Sequence, residues 1–310
     1  MDLATRYLGL QLRHPFMPGA SPLTADINMV RRLEDADAAA IVLPSLFEED
    51  IARYERTTDR YLEHLFRVKR RVAVPVIASI NCTTPESWLR YARLIETAGA
   101  DAIELNFYHV ATDLAEDGSA VERRVIDIVA VLKESVATPL AVKLTPFYSS
   151  LPNLAAALDR IGADGLVLFN RFYQPDIDPE RRCVTLALRY SDSSELLLRL
   201  RAMALLADRV SASLALTGGV HGALDAVKAV MAGADVVQLV SALMLRGPAE
   251  LGRIRDAFSA WGDEHDYDSV QEMRATMCLA RSRNPKAFAR GNYRHMLRAA
   301  RPLEISRAGH

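Results

Sequence analysis

Short apolar runs alternate with amphipathic segments along most of the chain. The runs predict strands at 15–22, where a turn of Gly19, Ala20, Ser21 and Pro22 closes the first, and at 38–43, stopping at Pro44. Further runs at 74–80, 102–106, 139–144, 165–169, 214–217 and 236–240 are bounded by turn residues, as buried parallel strands should be. Between them, residues 28–36, 84–98, 121–136, 152–161, 196–207 and an Ala-rich stretch after Gly222 place apolar positions at helical spacing. Residues 46–72 are charged but carry Phe47, Tyr54, Tyr61 and Phe66, and predict a helical excursion. Residues 3–14 predict a short lead-in hairpin.

The tripeptide Gly-Ala-Asp occurs at 99–101, 162–164 and 233–235, each time after a predicted helix and before a predicted strand. Glycine suits the left-handed position just past a helix end. Repeated joints of this kind mark a chain of βα units. Eight strands in this order predict a single (β/α)8 TIM barrel over residues 1–266, with a basic helical extension packed on it over residues 267–310. Arg281, Arg283, Lys286, Arg290, Arg294 and Arg298 make the extension basic, and Phe288 and Tyr293 are its expected anchors. Residues 172–194 form a long irregular exit loop of the type that serves as a lid or substrate loop.

In such barrels the chemistry sits where the strands exit. Those exits carry Ala20 and Ser21, then Ser45, Asn81, Asn106, Lys143, Asn170, Gly218 with Gly219, and Ser241. Gly218 and Gly219 end the seventh strand and Ser241 and Ala242 follow the eighth, the place where barrels of this class hold a phosphate on backbone amides. Lys143 lies in an otherwise apolar strand, where an ammonium is costly to bury unless paired. The plain alternative is a lysine head in solvent. For each asparagine the plain alternative is strand-end capping.

Composition narrows the classes. The chain has 310 residues, half of them hydrophobic, and a formal net charge of -1, so nothing drives it toward nucleic acid or a membrane. Cys82, Cys183 and Cys278 are too few and scattered for a disulfide framework or a thiolate metal site, and no metal is expected. No signal pattern opens the chain and no run is long enough to span a bilayer, so a reduced, cytoplasmic setting is expected.

Five segments taken together resemble the dihydroorotate dehydrogenase family of FMN barrels, including the pyrimidine-reducing part of dihydropyrimidine dehydrogenase. They are His14-Pro15-Phe16, Glu104-Leu105-Asn106, the run from Pro139 to Leu144, Thr217-Gly218-Gly219-Val220, and Gly233-Ala234 through Ser241-Ala242. The resemblance implies an FMN-dependent oxidoreductase that transfers hydride between flavin N5 and a CH–CH or C=C bond of a small, heterocyclic substrate. It places Lys143 at the flavin N1/O2 edge, where its charge favours the reduced flavin. It gives Gly218, Gly219, Ser241 and Ala242 the phosphate and sets Ala20 and Ser21 beside the ring system. Asn106 and Asn170 would hold the substrate, with Asn81 as a third, and Asn106 would also touch the cofactor.

The departures from that family are local. His109 stands where the family has its catalytic Cys or Ser, and an imidazole can take or give a proton near neutrality. A non-catalytic loop histidine is the other reading. A second family lysine is replaced by Leu43 or Pro44, and a glycine-rich loop by Leu188-Arg189-Tyr190-Ser191-Asp192, in which Arg189 or Ser191 could substitute. These changes argue against orotate as substrate. Three functions remain distinct at this level: a flavin oxidoreductase acting on a small molecule, an FMN-holding electron-transfer or accessory subunit, and a Schiff-base aldolase using Lys143. A redox partner protein and a homodimer are both compatible with the first two.

Overall fold

In the computed structural model, which describes residues 1–54, 56–171, 174–186 and 188–289, an antiparallel hairpin of β1 (Thr5–Tyr7) and β2 (Leu10–Leu12) precedes the first parallel strand, β3 (Phe16–Pro18). Then follow α1 (Ile27–Asp35), β4 (Ile41–Phe47), α2 (Glu48–Arg53), α3 (Thr57–Lys69), β5 (Val76–Asn81) and α4 (Pro85–Thr97). The middle of the chain forms β6 (Ala102–Asn106), α5 (Gly118–Ser135), β7 (Leu140–Leu144), α6 (Leu151–Arg160) and β8 (Gly165–Leu168). A second small hairpin, β9 (Asp176–Asp178) with β10 (Cys183–Thr185), interrupts the loop predicted as irregular. The remainder is α7 (Leu196–Leu206), β11 (Ser213–Thr217), α8 (Ala223–Ala232), β12 (Val236–Leu239), α9 (Ser241–Arg246), α10 (Ala249–Glu264), α11 (Val270–Met273) and α12 (Lys286–Ala289).

Eight strands pair in parallel in the order β3-β12-β11-β8-β7-β6-β5-β4. Across the remaining gap the amide of Ala39 donates to the carbonyl of Phe16 at 3.0 Å. The molecule is therefore a (β/α)8 barrel, as the strand count predicts. The three Gly-Ala-Asp joints have a common physical basis. Gly99, Gly162 and Gly233 each have positive φ (86°, 88° and 127°), which glycine adopts without a Cβ clash. The aspartate of each joint then accepts from an amide at the start of the preceding strand. Asp101 takes Val76 N at 2.7 Å, Asp164 takes Leu140 N at 2.8 Å and Asp235 takes Leu214 N at 2.7 Å. A cation completes each carboxylate, with Lys69 on Asp101, Lys133 on Asp164 and Arg274 on Asp235.

Pro44 does not end its strand. β4 runs on to Phe47 through an irregularity between Val42 and Ser45, where a residue without an N–H costs no ladder bond. Beside it the Tyr61 hydroxyl donates to Ser79 O at 3.0 Å and accepts from Ser79 N at 2.9 Å. The excursion over 46–72 thus resolves into two helices, one of which supplies this tyrosine.

The hairpin closes the bottom of the barrel. Tyr7, Leu8 and Leu12 pack inside it with Met17, Val42, Ile77, Val167 and Val236. Ala102, Ala141 and Ala215 are small enough to leave room for them. Side chains alternate in and out along a strand, so the residue two beyond Ala102 is Glu104 and the one two beyond Ala141 is Lys143. The interior is therefore apolar at the hairpin end and polar at the exit end.

After α10 the described chain packs back on α7 and α8. The amides of Ala275, Met277 and Leu279 donate to Val230, Met231 and Ala204, and Met273, Ala275 and Cys278 are buried. Phe288 packs partly buried against the core. Of the basic positions there, Arg290, Arg294 and Arg298 lie outside the described residues, as does Tyr293.

Candidate active site

A cavity of about 480 Å³ opens at the strand exits, within the range of small-molecule and cofactor sites. Arg189 and Ser191, the candidate substitutes for the glycine-rich loop, line it, as do six predicted strand-exit positions: Ala20, Ser21, Lys143, Asn170, Gly218 and Ser241. These six come from the exits of β3, β7, β8, β11 and β12. Among the described residues no carboxylate lines it, whereas Lys143, Arg171 and Arg189 do, so the space favours an anion.

Lys143 is neither in solvent nor alone. Its Nζ donates to Glu104 Oε1 at 3.0 Å, and Gln238 Nε2 donates to Glu104 Oε2 at 2.8 Å. Glu104 is fully buried, and Lys143 is nearly so. The lysine was legible as a paired cation; its partner lies in the resemblance segment Glu104-Leu105-Asn106, but sequence reading gave that carboxylate no role. Burial, then the charges of Glu104 and Asp235, push the Tyr7 phenol well above its ordinary range. Its hydroxyl, like Gln238 Oε1, has no hydrogen-bond partner among the described residues.

The asparagines form one chain of bonds. Asn81 Nδ2 donates to Asn106 O at 2.7 Å, and Asn106 Nδ2 donates to Ser45 Oγ at 2.9 Å. Asn170 Nδ2 donates to Asn106 Oδ1 and, at 3.1 Å, to Phe107 O. Asn170 lines the cavity, while Asn81 and Asn106 lie behind it in this network. Both readings of these residues are represented: they satisfy strand-end groups, and one faces the open space.

His109 lies elsewhere. It is half-exposed on the loop after β6, with Nε2 3.5 Å from Glu116 Oε2 and 3.3 Å from Arg124 Nη1, and it does not line the cavity. Burial and then the Arg124 charge hold its imidazole below the ordinary histidine range. Cys82 is buried, and that burial, with the Glu48 and Glu49 charges, pushes its thiol up, which suits packing.

At the other end of the cavity, Gly218 and Gly219 both have positive φ, 87° and 81°. A Cβ on Gly218 would lie 2.8 Å from Arg199 Nη2, and one on Gly219 would lie 2.6 Å from Leu196 N. Only glycine fits either position. Ser191 joins this turn to the next one. Its amide donates to Ser241 Oγ at 3.0 Å, its hydroxyl to the same oxygen at 2.9 Å, and it accepts from Gly219 N at 3.3 Å. Gly219 and Ala242 sit in these turns without lining the cavity. Arg199 lies buried beneath, with Nε donating to Thr217 O at 2.6 Å and Nη1 to Glu195 O at 2.7 Å. Sequence reading missed Arg199; the available signal was a lone charge on the apolar side of a Leu-rich helix.

The dihydroorotate dehydrogenase family model matches residues 53–260, more than half of the chain. This chain belongs to the dihydroorotate dehydrogenase family. Among its relatives is the catalytic subunit of dihydroorotate dehydrogenase B (NAD(+)) from Thermoplasma acidophilum, 27% identical over 299 residues, covering 88% of this chain and 97% of the relative. The subunit of the same name from Pyrococcus abyssi is 29% identical over 297 residues, covering 87% and 97%. The match takes in both the Lys143 strand and the Gly218–Gly219 turn. Membership makes the chain an oxidoreductase of the kind that acts on CH–CH bonds.

The residues present fit a flavin mononucleotide, the cofactor that the family implies. Ser21 lines the cavity, and its buried Oγ has no hydrogen-bond partner among the described residues. The glycine turn packs so closely on Arg199 and Leu196 that neither position admits a Cβ, and among the described residues the lining carries cations and no carboxylate. No described helix is long and apolar enough to cross a membrane.

Proposed function

We propose that the cavity holds FMN and that the protein oxidises or reduces a CH–CH bond in a small heterocyclic substrate. Bound there, the flavin would supply the hydride acceptor or donor. Gly218, Gly219, Ser241 and Ala242 would hold the phosphate, and Ala20 and Ser21 would border the ring system. Lys143 would present its ammonium to the ring's electron-rich edge, held in place by Glu104. Asn170 would orient the substrate, with Asn106 and Asn81 fixing its rotamer from behind. The observation that carries this reading is the joining of the glycine turn and the paired lysine by one cavity that no carboxylate lines among the described residues.

Orotate is not the expected substrate, because Leu43 or Pro44, neither able to carry a charge, stands where the family lysine would be and His109 stands outside the cavity. The relatives' names call them catalytic subunits, which supports a separate redox partner protein for this chain. A cytoplasmic location and a homodimer complete the proposal. The barrel over residues 1–266 would form the catalytic unit, with 267–310 as its extension.

The placement of His109 favours a second reading, in which the protein carries electrons without turning over a small molecule. No described side chain lining the cavity ordinarily titrates near neutrality, so a proton donor would have to come from His109 by a loop movement or from outside the chain. The test is the absorbance and mass of the ligand that co-purifies, followed by anaerobic reoxidation of the reduced protein. A yellow protein reoxidised by a dihydropyrimidine's unsaturated counterpart or an enone supports the enzyme. One reoxidised only by a protein acceptor supports the carrier. A colourless protein that cannot be loaded with FMN rejects both.

A further inference from the structure

Resting on the FMN reading, we propose that Arg171 is a direct ligand of the cofactor's terminal phosphate and makes the site select the phosphorylated flavin over riboflavin. Three observations support this. Arg171 lines the same cavity as Gly218, Ser191 and Ser241. Its guanidinium is bound to Glu195, with Nη2 to Oε1 at 3.1 Å, and Glu195 also lies 3.7 Å from Arg199 Nη2. One carboxylate thus serves two guanidinium groups, and the trio keeps a net positive charge at the glycine-turn end.

The two arginines differ in freedom. Arg199 is buried and tied to two backbone carbonyls, so it stays beneath the turn as a fixed charge. Arg171 is about one-third exposed, at 34%, and sits just past the exit of β8, so its side chain can turn from Glu195 to an incoming anion. A planar guanidinium takes a phosphate through two parallel bonds, which a single carboxylate oxygen does not offer. Arg189 also borders the cavity, but it is 81% exposed and faces Asp176, so solvent screens it. Glu195 is then a competitor: it holds Arg171 until the phosphate arrives.

The experiment measures dissociation constants of FMN and riboflavin on the full-length apoprotein by flavin fluorescence, at several salt concentrations. Wild type, Arg171→Gln and Glu195→Gln are compared. Arg171→Gln is expected to weaken FMN roughly ten- to hundred-fold, the loss typical of a charged hydrogen bond, and to leave riboflavin unchanged. It is also expected to flatten the salt dependence of FMN binding. Glu195→Gln removes the competitor and is expected to tighten FMN several-fold, a gain that a scaffolding role would not produce. Equal weakening of both flavins by Arg171→Gln, or a preference for FMN that survives it, overturns the inference and leaves the FMN reading intact. Loosening of both flavins by Glu195→Gln also overturns it. Failure of wild type to bind either flavin overturns the FMN reading and this inference together.

Discussion

Replacing Lys143 by methionine isolates the energetics of the cavity floor. Glu104 is fully buried and receives two hydrogen bonds, from Lys143 at 3.0 Å and from Gln238 at 2.8 Å. Lys143→Met removes the only cation within hydrogen-bond reach among the described residues and leaves a buried carboxylate with one neutral donor. Removing one partner of a buried pair costs about 3–5 kcal/mol. For a chain of this size that is a fall in Tm of roughly 5–8 °C. Glu104→Gln should cost less, about 1–3 kcal/mol, because Lys143 borders the cavity and water can reach its ammonium. The double variant Lys143→Met with Glu104→Leu buries no charge but strands Gln238 Nε2, and should recover about 1–3 kcal/mol of the loss. Urea unfolding of the apoprotein at pH 7, followed by circular dichroism, measures all four proteins. A Lys143→Met loss below about 1 kcal/mol, or a double variant no better than Lys143→Met, would refute the paired-charge account.

Other expectations follow from single contacts. Gly219→Ala places a methyl 2.6 Å from Leu196 N at a φ of 81°; it should cost about 1–3 kcal/mol and abolish FMN retention, read by thermal shift and by desalting the loaded protein. Asp164→Ala strands the Leu140 amide and the Lys133 ammonium, and should cost about 1–3 kcal/mol in urea without changing flavin affinity. His14 accepts from Phe16 N on Nδ1 at 3.2 Å and donates from Nε2 to Asp37 O at 2.6 Å, an arrangement for a neutral ring. Burial holds its pKa below the ordinary value of 6.5 despite Asp37, so the unfolded chain binds the proton first. Stability from this group is therefore complete above about pH 6.5 and declines as pH falls through that value toward the folded pKa. The slope of stability against pH should flatten in His14→Gln; an unchanged slope would contradict this assignment.

The barrel was readable because its rules are local. Each Gly-Ala-Asp joint announces a helix end and a strand start by its own chemistry, and β6 matches its predicted span residue for residue. Pro44 misled because a proline ends a strand only where the ladder needs its N–H, and the irregularity in β4 removes that need. The hairpin of β9 and β10 carries charged and exposed residues, so no buried face marks it as strand. Within the site, the backbone-determined parts were legible. Gly218 and Gly219 are required by geometry, and Lys143 by its cost of burial. Glu104, Gln238, Arg171, Glu195 and Arg199 meet only through the closed barrel and the packing of α7, and no spacing in the sequence reports such contacts. His109 was placed by a family position, but its loop turns it toward Glu116 and Arg124.

The measurement closest to the central claim is a crystal structure of the protein soaked with FMN. The account predicts flavin density in the cavity, its phosphate at the Gly218–Gly219 turn and Ser241, and its ring system beside Lys143 and Ser21. Density for the flavin at any other place, or a cavity closed by its own side chains with Lys143 turned away, would contradict it.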